Sequence, residues 1–158
     1  MCSRFVEYVL PLQFQSKPFP VHQFPTITLF CEAVLRKFSR KNLCSISASG
    51  VPPEAQFQKE WYRAFYSLVG HGVAVSSEWS SASDGRIDFR VNDPAWGIEL
   101  LRDGDRLSDH CNRFNPQGTY YRWIEKGFLR DWLVLDCRHS HPQRFRMISL
   151  PLLSGKEK

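Results

Sequence analysis

Apolar and polar positions alternate in two adjoining stretches of the chain. Ile87, Phe89 and Val91 stand between Arg86, Asp88 and Arg90, and Trp96, Ile98 and Leu100 alternate with Gly97, Glu99 and Leu101. A period of two predicts strands with one buried face. Asn92-Asp93-Pro94-Ala95 between them fits a hairpin loop. Asp131–Cys137 is a nearly continuous apolar run, the pattern of a buried central strand. Helical spacing predicts a helix from Thr26 to about Arg40, with Phe30, Ala33, Val34 and Phe38 on one face. A second helix is expected over Glu54–Val69, with the stripe Phe57, Trp61, Ala64, Phe65 and Leu68, ended by Gly70 and Gly72. Val73–Trp79 reads as a short strand, and Asp103-Gly104-Asp105 opens a helix carrying Leu107, Cys111 and Phe114. Tyr120–Lys126 reads as helix, and Phe5–Leu10 and Arg144–Ser149 as further strands.

Ser45–Pro53, a loop of Ser, Gly and Pro, is the expected boundary between an N-terminal extension (1–50) and a core (51–158). The core order is helix, three strands, helix, strand. It predicts an α/β fold. A chain of 158 residues suits one domain, or one domain with an extension.

The hairpin carries the candidate chemistry. A register that pairs Val91 with Trp96 also sets Asp88 opposite Glu99 and Arg86 opposite Leu101. Two carboxylates so placed have Cβ atoms roughly 5 Å apart and repel each other. A hard divalent cation between them, Mg²⁺ or Mn²⁺, would offset that repulsion. Glu60 sits at the flank of its helix stripe, from where it could reach the sheet edge as a third acidic group. Arg106, His110 and Arg113 recur at helical spacing and could face phosphate. The single-residue alternatives are plain: a solvated helix position for Glu60, exposed strand carboxylates for Asp88 and Glu99, and a solvated face for the cation stripe.

Charge changes the picture by its placement. The net charge is +5, and residues 1–59 hold seven Lys/Arg against three Asp/Glu, while residues 60–150 hold twelve of each. A basic flank beside a neutral, carboxylate-bearing core suits a polyanion partner, and on charge alone it equally suits an ordinary solvated surface. Arg36, Lys37, Arg40 and Lys41 suit the dipole at a helix C-terminus and also fit a phosphate-binding or nuclear-import patch. Five cysteines at irregular spacing are not a disulfide framework, so a reducing, intracellular setting is expected, the nucleus included. Cys137, His139 and His141 do not have zinc-ligand spacing. No run approaches the roughly 18 apolar residues of a membrane span.

The wording around these residues resembles a known family. Glu60-Trp-Tyr-Arg63, Gly85-Arg-Ile-Asp-Phe89, Trp96-Gly-Ile-Glu-Leu-Leu-Arg-Asp-Gly-Asp-Arg-Leu107, His110 and Arg113-Phe114 resemble the nuclease-like C-terminal domain of Crinkler-type effectors. That domain belongs to the PD-(D/E)xK, restriction-endonuclease-like superfamily. The resemblance covers roughly residues 55–140. It implies an αβββαβ core with a mixed central sheet flanked by helices, and a Mg²⁺-dependent endonuclease acting on DNA. Asp88, Glu99 and Glu60 would be the metal ligands and catalytic acids. It also implies an upstream NTPase domain, whose Gly-rich phosphate loop does not occur in this chain. Leu101 departs from the pattern, because the superfamily places a lysine there. Arg86, Arg102 or Arg106 could supply the cation, but arginine is a poor general base. The alternative is a lapsed nuclease fold that binds nucleic acid or protein without cutting.

Overall fold

A computed structural model describes residues 16–44, 52–81, 85–104 and 106–138. The elements in chain order are helices α1 (Ile27–Arg36), α2 (Arg40–Cys44) and α3 (Glu54–Val69), strands β1 (Val75–Trp79), β2 (Ile87–Val91) and β3 (Trp96–Arg102), helices α4 (Leu107–Asn112) and α5 (Tyr121–Glu125), and strand β4 (Asp131–Cys137). The described strands form one mixed sheet in the order β1-β2-β3-β4. β1, β2 and β3 are antiparallel neighbours, and β4 lies parallel to β3. A parallel pair needs a crossover, which α4 and α5 provide. The protein is therefore mixed α/β, with helices flanking a four-stranded sheet. The expected strands at Phe5–Leu10 and Arg144–Ser149 lie outside the described residues.

Two clusters of buried side chains lie against the sheet. The larger joins Phe30, Val34, Trp61, Phe65, Phe89, Val91, Ile98 and Leu100. Trp61 stacks on Phe89 at 4.1 Å between ring centroids, and Phe30 meets Phe65 edge-on at 5.7 Å. Full burial of each such ring contributes about 1.5–3 kcal/mol, and offset or edge contacts add to that. The amphipathic face of α1 thus packs into the same core as α3 and the sheet. The smaller cluster joins Ile87, Phe114, Tyr120, Trp123 and Leu129. Gly97 permits this packing, since a Cβ there would lie 2.5 Å from the Ile87 Cδ1.

Three differences from the expected elements have physical reasons. First, α1 ends at Arg36, and the chain turns through Phe38 and Ser39 before starting α2. The side chain of Thr26 caps the start of α1, accepting from the Leu29 amide at 3.3 Å. Second, β4 is an edge strand among those described, not a central one. Its positions are mostly half-buried, whereas six of the seven β3 residues are buried. Its long apolar run arises because helices cover it as well as the sheet, with α1 and α4 both in contact with it. Third, α4 is short and begins after Arg106, whose φ of 50° is left-handed and whose side chain makes no cap bond. Asp103 and Gly104 are also left-handed, at φ 57° and 72°. The turn is pinned by the Asp136 Oδ1, which accepts from the Gly104 amide at 2.7 Å.

Candidate functional site

The hairpin forms in the expected register, with Val91 opposite Trp96, Arg90 opposite Gly97 and Phe89 opposite Ile98. The alternation then breaks. Phe89 and Val91 belong to the larger cluster, whereas Ile87 belongs to the smaller one on α4 and α5. The Leu100 amide donates to the Asp88 Oδ2 at 2.7 Å, so a side chain takes a bond that a regular ladder would give to backbone. The other Asp88 oxygen accepts from Gln58 Nε2 of α3 at 3.2 Å. Asp88 therefore turns toward α3.

Glu99 turns toward α4. It is 2% exposed and has both oxygens occupied by side chains of α4 and its C-cap, His110 and Arg113. His110 Nδ1 lies 2.5 Å from Oε2, and Arg113 Nη1 lies 3.3 Å from Oε1. Arg113 also bonds the Tyr120 hydroxyl at 3.3 Å, and that hydroxyl donates to the Arg86 carbonyl. Helical spacing of three residues puts His110 and Arg113 on one side of α4. That side faces the sheet. The predicted phosphate-facing stripe is thus split, with Arg106 exposed and its two fellows half-buried on Glu99.

The electrostatics differ between the two acids. Burial pushes the Asp88 carboxyl up to about 7. The Leu100 amide opposes that rise, and the charges of Glu99, Glu54 and Glu78 reinforce it. On Arg113, burial disfavours the charged form, but the nearby Glu99 outweighs it and the guanidinium is held more firmly protonated. Tyr120 is raised to about 12 by burial and by the Glu99 charge.

Glu60 is buried but engaged elsewhere. Its Oε1 accepts from the Ser39 amide at 2.6 Å and from Arg63 Nε at 2.9 Å, and its Oε2 from Asn42 Nδ2 at 3.0 Å. Burial raises its carboxyl, and the bonds from Arg63, Asn42 and Ser39 more than reverse this and hold it below its ordinary value. The α3 residues that reach Asp88 are Gln58 by hydrogen bond and Glu54 by charge. They stand four apart on one helix side, a spacing legible in the chain once the sheet partner is known. Glu78 on β1, left-handed at φ 49°, pairs with exposed Arg86 at 3.4 Å. Arg102 is exposed and lies 3.7 Å from Asp103. Leu101, at the position of the superfamily's lysine, is buried. Glu78, Arg86, Arg113, Thr119 and Tyr120 line an open pocket of about 500 Å³.

These residues do not make a carboxylate cage for Mg²⁺. Asp88 and Glu99 turn to different helices, both Glu99 oxygens are spent on His110 and Arg113, and Glu60 serves another turn. Among the described residues no group of three His, Cys, Asp or Glu side chains converges as a metal site. Comparison with protein-family models, with curated proteins and with solved structures gave no match. No described helix is long and apolar enough to cross a membrane.

Proposed function

We propose that this chain is a restriction-endonuclease-like domain of the Crinkler type that binds nucleic acid, DNA first among them, without cutting it. One observation carries the choice of binding over cutting. Glu99, the acid that would hold the metal, has both oxygens bonded to the chain's own His110 and Arg113. The buried Leu101 supports the same reading, since no lysine stands beside the pair to assist hydrolysis. The order of α3, β1, β2, β3, α4 and β4, with β4 parallel to β3, supports the fold assignment. The basic excess of residues 1–59 supports the polyanion partner.

A second reading, metal-dependent cleavage, is favoured by the electrostatics of Asp88. A carboxyl raised to about 7 by burial and by three neighbouring acids is one that a dication would stabilise. One pair of assays separates the readings. In fluorescence anisotropy with labelled duplex and single-stranded DNA, the protein in EDTA should bind at low salt. In a plasmid-nicking assay with Mg²⁺ or Mn²⁺, it should give no cleavage above that of Asp88→Asn. Cleavage lost in Asp88→Asn would establish the second reading. Failure to bind any DNA or RNA at low salt would sink the first.

A further inference from the structure

Two of the three residues that the sequence assigns to phosphate, His110 and Arg113, are committed to Glu99, which leaves Arg106 exposed and calls for further charges elsewhere. Among the described residues, a dense exposed set lies between α1 and α3. Arg36, Lys37, Arg40, Lys41 and Arg63 are all exposed, within a six-residue stretch and one neighbouring helix position. Arg63 joins that stretch in space, because its guanidinium donates to the Lys37 carbonyl.

The turn that carries them is held from below. Glu60 accepts from the Ser39 amide at 2.6 Å and from Asn42 at 3.0 Å, and Gln56 Nε2 donates to the Asn42 carbonyl at 2.7 Å. Among the described residues, the exposed acid bonded to the set is Glu32, 3.4 Å from Arg36, and exposed pairs of this kind contribute little. The buried carboxylate thus fixes the backbone and anchors Arg63 by an ion pair at 2.6 Å, while Arg36, Lys37, Arg40 and Lys41 stay exposed. We propose that residues 36–41 with Arg63 form the docking surface for the phosphate backbone of nucleic acid, and that Glu60 is its positioning residue. The inference rests on the nucleic-acid-binding reading above and says where that binding occurs.

Charge complementarity argues for a phosphate backbone over a lipid surface. Membrane-surface helices offer an apolar face for insertion. The apolar face of α1, made by Ile27, Phe30, Cys31 and Val34, is spent in the core, and its exposed Leu29 and Leu35 stand about 120° apart around the helix and form no common face. Phe38, the aromatic residue within this stretch, is half-buried against the larger core cluster, so the surface reads charge and spacing and not base identity.

The test is the salt dependence of duplex binding, followed by fluorescence anisotropy. Each phosphate neutralised contributes about 0.9 to the slope of log K against log salt. Arg40→Ala/Lys41→Ala should therefore flatten the slope by about two and weaken binding about tenfold at low salt. The charge-matched control Lys126→Ala/Arg130→Ala should leave the slope within about half a unit of the unmodified protein. Glu60→Gln, measured where thermal melts show it fully folded, should flatten the slope by about one, an effect that lost stability alone would not produce. An unchanged slope in Arg40→Ala/Lys41→Ala, or equal losses in both doubles, overturns the inference and leaves nucleic-acid binding standing. Turn-dependent binding to phosphatidylserine vesicles with no nucleic-acid binding overturns both. So does the absence of nucleic-acid binding by the unmodified chain.

Discussion

Asp88→Asn should make the protein more stable above neutral pH, and the gain should vanish in acid. The folded protein holds the Asp88 proton up to about pH 7, against an ordinary value of 3.8. Between those limits the native state binds more protons than the unfolded chain, so stability falls as pH rises. The contribution is fully present below 3.8 and lost as pH passes through about 7. At about 1.4 kcal/mol per pH unit, the gap amounts to about 4 kcal/mol by pH 8. Asparagine imitates the protonated side chain. Its oxygen can still accept from the Leu100 amide, and its NH₂ can meet a flipped Gln58 amide. Urea unfolding at pH 4, 5, 6, 7 and 8, on both proteins, reads the difference directly. The variant should match the parent at pH 4 and exceed it by up to about 4 kcal/mol at pH 8, or roughly 8–16 °C in Tm for a chain this size. A difference independent of pH, or a less stable variant at pH 8, would refute the burial argument. The result also bears on metal: if Mg²⁺ stabilises the parent and not Asp88→Asn, the cation-binding reading regains ground.

The other predictions concern the remaining acids and the first helix. Arg113→Ala leaves buried Glu99 with His110 alone and should cost about 3 kcal/mol in urea unfolding; adding Glu99→Gln should recover much of that loss, and strict additivity would show that the pair is not coupled. Glu60→Gln should cost about 1.5–3 kcal/mol at pH 7, because its bonds are charge-assisted. Since the Glu60 carboxyl is held below 4.5, that stability is present above 4.5 and lost as the pH drops through its folded value, so the penalty should shrink below pH 4. Thr26→Ala removes the cap on Leu29 and should lower stability by about 1 kcal/mol, read as a lower Tm with α1 retained by circular dichroism.

Local periodicity found the elements, and it failed where tertiary contacts decide direction. The stripe of α3 and the alternation of β2 and β3 each follow one face against one core, so α3, the hairpin loop and the register between Phe89 and Val91 were readable from spacing. The register could not be carried on to Asp88, because Ile87 packs in the second cluster and the Leu100 amide takes the Asp88 side chain instead. A slip of that kind leaves no mark in a hydrophobic pattern. The phase of α4 was equally hidden. Its start is set by three left-handed residues, Asp103, Gly104 and Arg106, of which only the glycine announces itself. That start rotates His110 and Arg113 inward, onto an acid they follow by eleven and fourteen positions. A buried carboxylate must find cations or lose its charge. Two basic side chains at helical spacing directly after a buried strand acid are therefore first its internal partners, and only what remains exposed is left to meet a ligand. By that rule the turn at residues 36–41 outranks α4 as the candidate surface for the proposed phosphate contact.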